Sequence, residues 1–134
     1  MGAFAVCSSS TCPRRITVLV VEDEILVRLS LAASLRDEGF SVIEAANGDE
    51  AVAVLASSTP IEIVLTDVNM PGSLDGVALS RYVRSTRPAL KVIVVSGRVG
   101  QAVATEVADA FVPKPYDPAR ILHAIGRLLS GAPE

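Results

Sequence analysis

The chain has no tryptophan, and aromatic residues of every kind make up 4% of its 134 positions. A core organised around large rings is therefore excluded, and the 50% hydrophobic content has to pack mainly as Val, Leu, Ile and Ala. Cysteine is limited to Cys7 and Cys12, both in the polar opening MGAFAVCSSSTCPRR, and histidine to His123. That is too few ligands for a thiolate or imidazole metal site, so the two thiols are expected to be reduced on a mobile tail. No apolar run approaches the roughly 20 residues needed to span a bilayer, and the N-terminus lacks a basic region followed by a long apolar one. Gly2 is not a myristoylation signal, because Val6 stands where Ser or Thr is required. Basic charge is also short: 12 Lys and Arg against 15 Asp and Glu give a net charge of -3, and the arginines are scattered. A stripe that binds phosphodiesters is excluded. These absences leave a soluble, cytoplasmic protein with no direct nucleic-acid or membrane partner, of a size that supports one core and one site.

What the chain does have is alternation. Five apolar runs, ITVLVV, FSVIEA, IEIVLT, KVIVVS and AFVPK, are separated by segments of helical length rich in alanine, leucine and charge. Short apolar strands interleaved with helices predict a parallel sheet covered on both faces. The helix signals agree. Asn47 followed by Glu50 resembles a capping box, and Asp117 before Pro118 gives an N-cap with proline at the first helical position. Gly39 stops the first helix. The last helix carries Ile121, Leu122, Ile125, Leu128 and Leu129 on one stripe. The helical segment VGQAVATEVAD has few large apolar anchors and is expected to be the least firmly packed. The domain is expected to span residues 16–130, with tails at 1–15 and 131–134.

In open parallel sheets, ligands bind beyond the carboxyl ends of the strands. The first run ends at Glu22 and Asp23, the third at Thr66 and Asp67, the fourth at Ser96, and the fifth close to Lys114. Each residue has an ordinary explanation when taken alone. Carboxylates favour helix N-termini, Asp67 precedes the turn formers Pro71 and Gly72, Ser96 could be a loop hydroxyl, and Lys114 a solvated charge. Their convergence on one sheet edge is what favours a site. A like-charged pair at about 4 Å and an effective dielectric near 20 costs on the order of 4 kcal/mol, which a hard divalent cation relieves. Oxygen-only ligands with room for water point to Mg2+. A cation, a carboxylate and a lysine are the apparatus of phosphoryl transfer, with Asp67 as nucleophile, Lys114 pairing with phosphoryl oxygens and Ser96 offering them a hydroxyl.

The motifs VVEDE, LTDVNMPG, VVSG and VPKPY, in this order and spacing, closely resemble the receiver domain of two-component response regulators over roughly residues 16 to 129. The resemblance implies an α/β fold, a doubly wound, flavodoxin-like sheet of five parallel strands in the order 2-1-3-4-5. It implies that Asp67 accepts a phosphoryl group from a histidine kinase or a histidine phosphotransfer protein. Mg2+ would be held by Asp23, Asp67 and the main-chain carbonyl of Asn69, with Glu22 acting through water. Ser96 and Phe111 would occupy the switch positions, and Lys114 the lysine of the motif. Three features depart from the common pattern. The loop MPGSLDG is one residue longer, Phe111 lacks a tyrosine hydroxyl, and Arg98 lies two residues past Ser96, where with Asn69 it would tune phosphate lifetime. The surface implied to change is the face of the fourth helical segment, the fifth strand and the last helix, through which an unidentified downstream protein would be engaged. Because the sequence ends just beyond the last helix, a signalling module without its own output domain is expected. A phosphate relay or sink, or a detached receiver of a hybrid kinase, are variants of that expectation.

Three other classes compete. A small phosphohydrolase with an aspartate nucleophile shares the strand-end acid, lysine and Mg2+, but wants a second acid where Asn69 stands. A flavodoxin-like nucleotide binder is disfavoured by the acids after the first strand, which repel phosphate. An adaptor of the same fold that is never phosphorylated would not need the reactive side chains that are present.

Overall fold

Each apolar run becomes a strand. The computed structural model describes residues 15–70, 72, 74–96, 108–114 and 117–130. Along the chain these form β1 (Thr17–Val21), α1 (Ile25–Asp37), β2 (Ser41–Ala45), α2 (Gly48–Ala56), β3 (Ile63–Asp67), α3 (Gly76–Thr86), β4 (Lys91–Ser96), β5 (Ala110–Pro113) and α4 (Pro118–Ser130). The sheet is parallel throughout, in the order β2-β1-β3-β4-β5. This is the doubly wound order that the family resemblance implies. Cys7, Cys12 and Arg98 lie outside the described residues. So does the segment VGQAVATEVAD, except for Ala108 and Asp109, which lead into β5.

Successive strand residues point to opposite faces, and both faces are apolar, so each has to be covered. Val18, Val20, Ile63, Leu65, Ile93 and Val95 pack with Leu31 and Leu35 of α1 and with Ile121 and Ile125 of α4. Leu19, Val21, Val64, Val92 and Val94 pack with Ala51 and Leu55 of α2 and with Leu79 and Val83 of α3. Full burial of each such side chain contributes about 1.5–3 kcal/mol, which no single aromatic has to supply here. The middle strand, β3, is buried at all five positions, so its final residue Asp67 is carried to the edge of the core rather than into open solvent.

The helix ends form as the sequence suggests, with one difference. The Asn47 side chain accepts from the Glu50 N–H at 2.8 Å, but Glu50 returns its carboxylate to the Ala46 N–H at 2.7 Å, one residue before the cap. Asp117 accepts from the Arg120 N–H at 3.2 Å. Gly39 takes φ 96°, open to glycine at little cost. That turn lets the Phe40 N–H reach the Leu35 carbonyl at 3.1 Å and sends the Phe40 ring into the core.

The amino edge of the sheet is tied by side chains. Glu62 accepts from the Thr17 N–H at 2.7 Å, and Asp109 accepts from both Arg84 and the Val92 N–H at 2.7 Å. On the outer edge, Arg36 donates to the Val42 carbonyl of β2 at 3.1 Å. Among the described residues no helix is long and apolar enough to cross a membrane, and every buried side-chain polar atom has a partner.

Candidate functional site: an acidic pocket at the carboxyl edge

The register of β1 and β3 brings their last residues side by side, Val21 against Thr66, so the residues that follow share one edge. There the carboxylates of Glu22, Asp23 and Asp67 come together, with an oxygen from each lying within 4.8 Å of the others. Glu22 and Asp67 are 6% and 7% exposed, whereas Asp23 faces solvent. Lys114, the residue after β5, reaches past β4 and donates to Asp67 Oδ2 at 2.6 Å. The other Asp67 oxygen accepts from the Asn69 N–H at 3.1 Å. Asp67 therefore sits under a lysine and beside two further acids, as the strand-end reading expects.

Glu22 is held on three sides. Its N–H extends the β1–β2 ladder to the Ala45 carbonyl at 3.0 Å, its Oε2 accepts from the Glu24 N–H at 3.0 Å, and its carbonyl accepts from Arg28 Nη1 at 2.9 Å. Burial pushes its carboxyl up from 4.5 to about 7; the charges of Asp67 and Asp23 act in the same direction, the Glu24 N–H and the Lys114 ammonium against it. Glu24, the N-cap residue of α1, makes no side-chain cap, and the first turn of α1 holds no acid.

Ser96 ends β4 and is fully buried. Its carbonyl accepts from the Lys114 N–H at 2.7 Å, which ties the tips of β4 and β5 together. Phe111 lies opposite Val94 on β5, half-buried against the face that α2 and α3 cover. Asn69 has an exposed side chain. Of the residues singled out in the sequence, Glu22, Asp23, Asp67 and Lys114 thus meet directly, Asn69 joins them through its main chain, and Ser96 joins them through Lys114.

The structure adds two residues that the sequence reading passed over. Gly76 opens α3 against Asp67: its N–H donates to the Val68 carbonyl at 2.9 Å, and a Cβ there would collide with the Asp67 carbonyl. The only local signal was a glycine after Asp75, which caps α3 by accepting from the Ala78 N–H at 2.9 Å. The second is Arg28, whose partners are distant in sequence. A cavity of about 640 Å3 lies at the opposite, amino edge, between Ile61, Leu90, Leu128 and Leu129, and holds none of these groups.

The donor set suits a small hard cation. All three side chains offer carboxylate oxygen, and one oxygen of each lies within 4.8 Å of the others, so these residues would suit a hard divalent cation that neutralises their crowded charge. Water would complete the shell on the solvent side, where Asp23 and Asn69 stand.

A parallel sheet of this order with an acid-and-lysine centre beyond its carboxyl ends defines a flavodoxin-like α/β protein with a strand-end acidic pocket. A family model described as the response regulator receiver domain matches residues 18–126. The chain belongs to this family, the phosphorylatable modules of two-component signalling. It is 39% identical over 118 residues to the sensor kinase CckA of Brucella abortus, covering 84% of this chain and 12% of that protein. It is 40% identical over 118 residues to the response regulator MprA of Mycolicibacterium vanbaalenii, covering 85% of this chain and 50% of that protein. The chain thus spans half or less of the length of these two relatives. Among solved structures, the receiver domain of NtrX from Brucella abortus superimposes with a TM-score of 0.77 at 32% identity, covering 86% of this chain and 99% of that one. The response regulator TrrA from Thermotoga maritima, solved in complex with Mg2+-BeF, gives a TM-score of 0.78 at 26% identity, covering 84% and 98%.

Proposed function

We propose that Asp67 is the phosphoryl acceptor, that Asp23, Asp67 and the Asn69 carbonyl hold Mg2+ with Glu22 acting through water, and that Lys114 and Ser96 receive the oxygens of the transferred group. The observation that carries this reading is the buried Asp67 carboxylate, gripped by Lys114 at 2.6 Å inside a cluster of three acids. TrrA, a relative in fold and family, was solved with Mg2+-BeF, which supports the cation.

In the transfer, an Asp67 carboxylate oxygen attacks the phosphorus of a phosphohistidine on a histidine kinase or phosphotransfer protein. The O–P bond forms as the P–N bond breaks, and the electron pair leaves with the imidazole. A bound Mg2+ supplies charge neutralisation for the phosphoryl oxygens. The ammonium of Lys114 already points at the acceptor and stays with the group it becomes. The added charge of about 1.5 to 2 draws the Ser96 hydroxyl inward. Lys114 N–H holds the Ser96 carbonyl, so the tips of β4 and β5 respond together, and Phe111 on β5 repacks with them. This is a shift between two packings of one fold. Asn69 and Arg98 are proposed to tune the lifetime of the phosphorylated form.

The output is proposed to pass to a partner protein over the face of β5 and α4. A groove of about 540 Å3 there is lined by Phe111, Asp117, Arg120, His123 and Arg127. The test is incubation with a small-molecule acyl phosphate and Mg2+, followed by intact-mass measurement. One phosphoryl group on the parent and none on Asp67→Asn is expected. Multiple turnover of a phosphate monoester with no covalent species would point to a phosphohydrolase instead.

A further inference from the structure

The Arg28 guanidinium has an unusual address for a cation one helical turn from an acidic pocket. It donates to the main-chain carbonyl of Glu22 at 2.9 Å, and its Nε pairs with Glu44 Oε1 at 3.3 Å. Glu44 stands on the edge strand β2, where its other oxygen is held by Arg36 Nη1 at 3.3 Å. The Arg28 and Glu44 side chains are 14% and 23% exposed, so solvent screens this pair less than a surface pair.

We propose that Arg28 is a positioning residue for the acidic pocket, fixing the main chain at Glu22 while Glu44 fixes Arg28. The inference rests on the reading of that pocket as a Mg2+ site. Three anchors define where the Glu22 carboxylate can stand. The Ala45 carbonyl holds its N–H and the Glu24 N–H holds its Oε2, both at 3.0 Å, and Arg28 holds the carbonyl between them. With the third anchor gone, the peptide joining Glu22 to Asp23 is free to turn, and both acids leave their common centre. Glu44 also explains why so strong a cation does not compete for the pocket: the Arg28 charge is answered on β2 through Nε, and Nη1 addresses a neutral carbonyl. Lysine could carry the charge, but a single ammonium does not reproduce the planar fork that serves both partners.

The sign of one measurement separates positioning from charge. If Arg28 acted only through its field, Arg28→Gln would remove a positive charge near the cation and tighten Mg2+ binding. Positioning requires the opposite, a rise in the Mg2+ Kd of about tenfold, the scale on which residues that orient metal ligands act. Arg28→Lys should share most of that loss. Calorimetric Mg2+ titration of the full chain reads the effect. Amide hydrogen exchange at Glu22 and Glu24 in chelator, where no metal contributes, should become faster in Arg28→Gln. Should that variant fold poorly, Glu44→Gln leaves the Arg28 side chain present but loosens its hold on the Glu22 carbonyl, and is expected both to raise the Mg2+ Kd about threefold and to speed amide exchange at Glu24 in chelator, with the urea midpoint measured alongside. An unchanged or tighter Kd in Arg28→Gln, or a Glu44→Gln variant that shifts only the urea midpoint, overturns the proposal. A parent chain that binds no Mg2+ overturns it together with the reading of the pocket, whereas a parent that binds while the variants match it overturns the positioning role alone.

Discussion

At the amino edge of the sheet Asp109 meets Arg84 at 2.7 Å; at the carboxyl edge Asp67 meets Lys114 at 2.6 Å. The two pairs look alike by distance and differ in what surrounds them. Asp109 also accepts from the Val92 N–H, so one acid is matched by one base and a ladder donor. That pair joins α3, β4 and β5. Asp67 also has one lysine, but Glu22 and Asp23 crowd in beside it, leaving an excess of negative charge in a largely buried place. Balanced charge fastens a fold, whereas charge left over at the end of a strand is what the proposed cation would answer.

That comparison can be broken or sharpened in several ways. The largest expected effect is steric. Gly76→Val drives a branched side chain into the main chain at Asp67, which cannot give way as a side-chain tip would. A loss of about 3 kcal/mol in urea unfolding is expected, together with loss of phosphoryl incorporation. Wild-type stability in this variant would mean that α3 can stand off from the acceptor strand.

Next comes pH. Between 4.5 and about 7, Glu22 is protonated in the folded chain and ionised in the unfolded one. The folded state then binds more protons, so stability in chelator falls as pH rises through this window and levels off above it. The fall amounts to at most about 3 kcal/mol. Unfolding at pH 5 and pH 8 measures it, and Glu22→Gln should remove the slope. A slope that survives the substitution belongs to another group.

Removing the two bases tests the comparison most directly. Arg84→Ala should cost about 1 to 2 kcal/mol whether or not Mg2+ is present, because no cluster of acids stands at that edge among the described residues. Lys114→Ala should destabilise the chain in chelator and recover when Mg2+ is added. Equal responses of the two variants to Mg2+ would erase the distinction between the edges. The smallest effect is that of Asp23→Asn, since the side chain faces solvent. In chelator it should raise stability by about 0.5 kcal/mol, less at high salt, while weakening Mg2+ binding. A variant less stable than the parent in chelator would contradict the crowding of charge.

Much of this was legible in the sequence because strand ends are easy to read. An apolar run of five or six residues fixes where a strand stops, parallel pairing sends every stop to the same edge, and the acids, hydroxyl and lysine written there had to be neighbours. Asn47, Asp117 and Gly39 act within a few residues of themselves, so their roles as caps and stop were also visible. Arg28 was not, because its partners Glu22 and Glu44 meet it only once β1 and β2 are paired. Gly76 was missed for a related reason: a glycine's value lies in what approaches it, and Asp67 comes from another strand. The capping box differed by one residue because side-chain reach, not spacing alone, chooses which N–H Glu50 meets.

The Arg36 contact with β2 has a consequence for the molecule among its own copies. The carbonyl of Val42 lies on an outermost strand, where an incoming chain in extended form would look for an acceptor. A long, charged side chain already occupies that acceptor, so the sheet offers a poorer template for growth by a sixth strand, and crowded copies of the domain are steered away from stacking edge to edge.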